Sequence, residues 1–212
     1  AVLFALNLFW GSVDTGILVS KYLYHDDVRT HGSGAAGMTN MLRTFGKKAA
    51  AMTATGDVLK GVLAVCIGRW LFHMLPVDAG VSPYLGVYLA AIFAVLGHLY
   101  PLYFGFKGGK GVLVAGGAIL AIQPILLPVL TVVFLLCLVP TGMVSLGSIA
   151  MAASYPVLTL IYGLLKGFAA DDLIVCVVGA AIMGGMVIWM HRANIQRIRE
   201  GKEYRFGSKH KQ

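Results

Sequence analysis

The sequence predicts an all-α integral membrane protein, a helical bundle with seven transmembrane helices. Three observations predict it. Of 212 residues, 58% are hydrophobic and 12% charged, about half the charged share usual in soluble domains. Several apolar runs approach or exceed the roughly 20 residues a helix needs to cross the hydrocarbon core. The runs are also continuous, whereas a membrane β-barrel shows short alternating segments. No linker, low-complexity stretch or internal repeat divides the chain, so residues 1–212 read as one domain.

In order, the apolar segments are 1–23, 47–76, 83–104, 111–122, 124–140, 144–166 and 172–191. The first carries Asn7 and Asp14 within it. The second holds Asp57 and Lys60 in "GDVLKG", three apart and so on one helix face. Charges at such depth are costly and default to a functional or internally paired role; a structural ion pair and a substrate contact both fit. The fourth and fifth segments are short and separated only by Gln123-Pro124, which suits either a tight hairpin or one kinked span.

Charge decides between them. Seven crossings put Lys21, Arg29, Arg43, Lys47 and Lys48, then Lys107 and Lys110, then the tail from Arg192 to Lys211 on one side. Asp78, Lys166, Asp171 and Asp172 fall on the other. Basic loops mark the cytoplasmic side, so the N-terminus is expected outside and the C-terminus in the cytoplasm. The net charge of +8 follows this insertion rule and calls for no nucleic-acid partner. Cys66, Cys137 and Cys176 stand singly inside apolar segments, without disulfide or metal-ligand spacing.

Three polar islands fall on the basic side. In "HGSGAAGMTNMLRTFGKK", Gly32, Gly34 and Gly37 surround Ser33 and are followed by Thr39, Asn40 and Arg43. Glycines allow close backbone approach and anion-binding nests of N–H groups. A helix beginning near 38 puts Thr39 or Asn40 at its N-terminus and Arg43 one turn on, facing the same way. The second island is "GFKGGKG", Gly105 to Gly111, with "GHLYP" just before it. It is no nucleotide P-loop: Phe104 stands where the first glycine belongs, and Gly111 replaces the magnesium-binding Ser or Thr. Its backbone N–H groups and two lysines at a helix start still describe an anion site. His98 reads as a cap or packing partner for this loop. In the third island, "HRANIQRIREGKE", His191 and Asn194 share a helix face turned toward the bundle, while Arg192 and Arg199 face away as head-group anchors. Ser145 and Ser148 in "MVSLGS" open the sixth span on the same side.

Together the islands resemble the bacterial acyl-phosphate:glycerol-3-phosphate acyltransferases, the PlsY family. The likeness rests on "GSGAAGMTNMLR", "GHLYPLYFGFKGGKG" and "HRANIQRIREGKE" in this order, with "LKG" at 59–61 and "VSLGS" at 144–148 as further matches. The resemblance implies a seven-helix enzyme of the bacterial inner membrane with its active site on the cytoplasmic face. It implies transfer of a fatty acyl group from acyl phosphate to the 1-hydroxyl of glycerol 3-phosphate. Lysophosphatidic acid and phosphate are the products, in the first acylation step of phospholipid biosynthesis. Membrane lipids surround it, and no metal, cofactor, acyl-CoA, acyl carrier protein or obligate protein partner is implied. The chain departs from the family at Ala35, where asparagine is usual, and at Asp14, where proline is usual; a pairing of Asp14 with Lys60 is one reading.

The expected catalytic residues are Ser33, Arg43, His191 and Asn194. Expected to bind substrate are Gly32, Gly34, Thr39, Asn40, Lys60, Lys107, Gly108, Gly109, Lys110, Gly111 and Ser145. Two phosphorylated substrates require cations and N–H donors, which these residues supply. An acyl phosphate carries its own leaving group, and the islands hold no compact Ser-His-Asp or Cys-His set, which argues against a covalent acyl-enzyme. Positioning and electrostatic stabilisation are the expected main terms. His191 as a base, His191 as an orienting group with Asn194, and a substrate phosphate as proton acceptor all remain open. A carrier for a phosphorylated anion would also want a basic, glycine-lined site, but near the midplane between repeated halves.

Overall fold

The computed structural model describes residues 2–74 and 81–206. Asp78 and the tail beyond Phe206, with Lys209 and Lys211, lie outside the described residues. Among those described, the chain is all helix, turn and loop, without strand. The α-helices in order are α1 (Val2–Gly11), α2 (Thr15–Tyr24), α3 (Met38–Phe45), α4 (Lys47–Met74), α5 (Tyr84–Leu99), α6 (Val112–Ile122), α7 (Leu126–Thr141), α8 (Val144–Leu165), α9 (Ala170–Met190) and α10 (Arg192–Arg199).

Four helical stretches, Lys47–Met74, Tyr84–Phe104, Val144–Leu165 and Ala170–Met190, are long and apolar enough to cross a membrane. The other apolar segments are built differently. The segment expected as one span at 1–23 is broken into α1 and α2. Asp14 causes the break and explains itself there: its backbone is extended and its side chain accepts from Ile17 N at 3.1 Å, capping α2. A break at membrane depth frees carbonyls that need partners. Lys60 of α4 supplies one, donating to the Val13 carbonyl at 2.8 Å. Lys60 takes the adjacent carbonyl, and Asp14 faces His98 Nδ1 at 3.5 Å with the Lys60 charge close by.

Gln123-Pro124 separates α6 from α7, since a residue before proline leaves the helical region. At 11 residues, α6 rises only about 16 Å, well short of a full crossing. Its end is buried, with Gln123 accepting from Tyr88 Oη at 3.4 Å and Thr159 Oγ1 at 3.5 Å. The main core lies among α4, α5, α6, α8 and α9, around Val65, Tyr88, Val95, Ala118, Ala180 and Met183. A smaller cluster under the first polar loop joins Ile17, Val28, Ala36, Met41 and Ala49.

The loops at one end of the bundle are sewn together. Ala36 N donates to Gly108 O at 3.3 Å, Lys110 reaches Asn194, and Phe206 N returns to Gly142 O at 2.8 Å. That end carries the site.

Candidate active site

The lysine loop hangs from the last turn of α5. Gly109 N donates to the His98 carbonyl at 3.2 Å and Gly108 N to that of Leu99 at 3.3 Å. Arg29, gripped by Asp27, donates to the carbonyls of Phe104 at 2.6 Å and Lys107 at 3.1 Å. A Cβ at Gly109 would collide with His98 Nε2. The glycines are thus required for close approach to His98, and their N–H groups are spent inside the protein. This corrects the expectation of an anion nest at Gly108 and Gly109. Lys107 is exposed and away from the cavity, whereas Lys110 and Gly111 line it.

Asn40, 2% exposed, organises the Gly-Ser-Gly loop. Its Oδ1 accepts from Ser33 N at 3.1 Å, and its Nδ2 donates to the carbonyls of Val28, His31 and Ala35, each at 3.0 Å. Gly32 sits at φ +54°, where a Cβ would strike Asn40 Oδ1. Asn40 borders the cavity, yet its bonding capacity already serves the loop. Gly34 faces solvent outside the cavity, while Ser33, Thr39 and Arg43 line it. The Arg43 guanidinium carbon lies 4.0 Å from the Tyr204 ring centroid, a cation–π contact beside the cavity.

On the third side a chain of side chains centres on Glu203. Its Oε1 accepts from Asn194 Nδ2 at 2.6 Å and Ser145 Oγ at 2.7 Å, and its Oε2 from Arg197 Nε at 2.8 Å. Asn194 Oδ1 in turn accepts from Lys110 Nζ at 2.6 Å. Burial pushes the Lys110 ammonium down to about 8, with Glu203 opposing the shift. Burial pushes the Glu203 carboxyl up, but the hydrogen bonds from Ser145, Asn194 and Arg197 outweigh it and hold it below its ordinary value. His191 lies one residue past α9, and burial lowers it to about 4. Its Nδ1 donates to the Val187 carbonyl at 2.7 Å, which leaves Nε2 as its acceptor.

These parts enclose a cavity of about 490 Å³. Arg43, Lys110, Arg197, Lys202 and Arg205 line it against two carboxylates, Asp57 and Glu203, so it favours anions. Val112, Leu113, Phe134 and Val144 form an apolar wall on the membrane side. Lys60 is buried behind that lining. It donates to Val13 O, lies 3.1 Å from His98 Nδ1 and 3.6 Å from Asp57, and matches the internally paired reading.

Sequence reasoning missed Glu203 as the hub, together with Arg197 and Tyr204. The signal was present in "EGKE", where a glycine turn (Gly201, φ +70°) sends Glu203 back under α10.

A cationic cavity with one apolar wall, at the edge of a helical membrane bundle, defines a membrane enzyme that joins a polar anion to an oily partner. The sequence model described as glycerol-3-phosphate acyltransferase matches residues 1–201. The glycerol-3-phosphate acyltransferase of Clostridioides difficile is 42% identical over 199 residues, covering 94% of this chain and 91% of that protein. The one from Bacillus subtilis is 38% identical, with 93% of each covered. Crystal structures of PlsY (YgiH), an integral membrane glycerol 3-phosphate acyltransferase, superpose with TM-score 0.80 in the glycerol 3-phosphate form and 0.78 in the lysophosphatidic acid form. They are 32% and 31% identical and cover 97% of this chain and 94% of those. The chain belongs to the glycerol-3-phosphate acyltransferase family and is an acyltransferase.

Proposed function

We propose that the protein transfers the acyl group of an acyl phosphate to the 1-hydroxyl of glycerol 3-phosphate, giving lysophosphatidic acid and phosphate. The observation that carries this reading is the single cavity that sets five cations beside an apolar wall. Arg43 and Lys110 hold the phosphates, and Ser33 and Ser145 supply hydroxyl contacts. The hydroxyl oxygen attacks the acyl carbonyl carbon, the bond to the phosphate oxygen breaks, and phosphate leaves with the electron pair. A histidine held at about 4 is a weak base at neutral pH. Inorganic phosphate leaves with an added negative charge on the oxygen freed from the acyl carbon, so the departing phosphate is the better acceptor. His191 and Asn194 then act by orientation. Changing His191 to Ala should give a modest loss with an unchanged pH profile; a loss of about 10²-fold with a shifted profile would make His191 the base.

The reading includes seven crossings of the bacterial inner membrane, with α1 and α2 together forming the first. The N-terminus is outside, and the site and C-terminus face the cytoplasm. The basic loops gathered at the cavity end support this sidedness. In a background lacking native cysteines, a cysteine replacing Asp171 should label from outside and one replacing Arg199 only after lysis. The reverse pattern overturns the topology. For the reaction, purified protein in detergent should release phosphate and form lysophosphatidic acid from palmitoyl phosphate and glycerol 3-phosphate, with palmitoyl-CoA giving only background. Equal rates with both donors would refute acyl phosphate as the specific donor.

A further inference from the structure

Under the lysine loop, four ionisable side chains meet away from water: Asp14 at the cap of α2, Asp57 and Lys60 on α4, and His98 in the last turn of α5. Each is 3% exposed or less. They converge on one atom. His98 Nδ1 lies 3.1 Å from Lys60 Nζ, 3.5 Å from Asp14 Oδ2 and 3.8 Å from Asp57 Oδ1. Those two carboxylate oxygens accept no hydrogen bond among the described residues, so they act on the Lys60 ammonium through charge. The ammonium donates to Val13 O and to Nδ1. It has donors only, so Nδ1 accepts and the ring carries its own proton on Nε2. Apolar residues of similar volume would join these helices at no greater cost than buried charges. The cluster invites a reason beyond cohesion.

The reason lies on the opposite edge of the ring. Nε2 is turned to Gly109: the three atoms that a Cβ there would meet first all belong to the His98 ring. His98 and Lys110 line the same cavity. A path of contacts therefore runs from the carboxylates to Lys60, from Lys60 to Nδ1, and from the ring to Gly109. The residue after Gly109 is Lys110, whose Nζ reaches Asn194 across the site.

We propose that Asp14 and His98, linked through Lys60, are positioning residues for Lys110: the buried cluster locks the His98 ring, and the ring seats Gly109 so that the next side chain enters the cavity. The inference rests on the reading above in which Lys110 holds a substrate phosphate. A cluster that only joined helices would stabilise the fold and leave the aim of Lys110 unchanged.

Three variants separate these roles. Asp14→Asn keeps an Oδ1 to cap Ile17 N, since asparagine caps as well as aspartate, and removes only the charge facing His98. His98→Asn keeps an amide near the place of Nδ1 and takes away the edge beneath Gly109. His98→Gln carries its amide to the place of Nε2. Kinetics with palmitoyl phosphate and glycerol 3-phosphate are measured from about pH 7 to 9, beside melting in detergent. The KM for glycerol 3-phosphate should rise about tenfold in His98→Asn and several-fold in Asp14→Asn, with kcat changing less, and His98→Gln should recover most of the loss. The pH profile should move too. Burial lowers the Lys110 ammonium to about 8, and a Lys110 displaced toward water titrates nearer its ordinary ~10.4. The rise of KM with pH should therefore shift upward by roughly one unit in His98→Asn, because the charged groups facing Lys110, Glu203, Arg197 and Arg43, are untouched.

Variants that melt earlier yet keep the wild-type KM and pH profile would make the cluster purely structural and overturn the proposal, leaving acyl transfer standing. A His98→Gln as impaired as His98→Asn would overturn the ring edge as the seat. Should His98→Asn fail to fold, Asp14→Asn decides alone: an unchanged KM and profile there overturns the link. A Lys110→Ala with normal KM would instead remove the reading of Lys110 as the phosphate-holding group, and the relay with it.

Discussion

The two glycine-rich loops look alike in sequence and are held by opposite means. The loop at Gly32–Gly34 depends on one side chain: Asn40 accepts from Ser33 N and donates to three carbonyls. The loop at Gly105–Gly111 depends on main chain, hung from the carbonyls of His98 and Leu99 and tied to the first loop through Ala36. In both, several backbone donors are consumed in holding the loop, and a side chain is left for the ligand. Glycine richness here signals tight internal construction. Arg43 and Lys110 line the cavity, and in the proposed function they are the groups that meet the anion.

The largest expected effect comes from removing what the lysine loop aims. Lys110→Ala deletes a charge-assisted contact of about 1.5–3 kcal/mol, so kcat/KM for glycerol 3-phosphate should fall roughly ten- to a hundredfold or more in steady-state assays. Retention of near-normal kcat/KM would detach the second loop from substrate altogether. Next come the two supports. Asn40→Ala leaves Ser33 N and three carbonyls short of a partner and should destabilise the protein by about 1–3 kcal/mol. Gly109→Ala overpacks His98 at a similar cost, about 1–3 kcal/mol, and displaces Lys110. The comparison sharpens in the kinetics: Gly109→Ala should act mainly on the KM for glycerol 3-phosphate, while Asn40→Ala should lower kcat through Ser33 and Arg43. Identical kinetic patterns would mean the loops work as one unit.

A smaller effect follows from pH. The Lys110 ammonium, lowered by burial to about 8, is charged below that value and loses its proton above it. The KM for glycerol 3-phosphate should therefore rise several-fold between about pH 7 and 9 in the wild type. Lys110→Arg keeps its charge throughout, so its profile should be flat over that range. A wild-type rise that survives in Lys110→Arg would assign the titration elsewhere. The smallest effect is expected at Lys107, exposed and away from the cavity: Lys107→Ala should stay within about twofold.

Helix segments and polar islands were visible in the sequence because apolar length and glycine-lysine clustering are local properties. Ser33, Thr39, Arg43, Lys110, Ser145, His191 and Asn194, far apart in the sequence, line one cavity. What stayed hidden was partnership. Lys107 and Lys110 are the same residue type three apart, and only the path of the loop around His98 turns one outward and the other in. Asp14 looked like a misplaced acid in a span until the chain was seen to break and restart there, with Lys60 from 47 residues away closing the freed carbonyl. Glu203 sits in a short polar tail, and its importance lies in four groups contributed from the lysine loop, α8 and α10, one of them reached through Asn194.

The return of the last described segment over the cavity has a consequence in time as well as space. Glu203 fastens Ser145 and Asn194, Tyr204 backs Arg43, and Phe206 is pinned to Gly142. Chains fold as they are made, N-terminal parts first. The helices that supply most of the cavity wall precede this stretch in the order of synthesis, so the wall is made before the residues that fasten it.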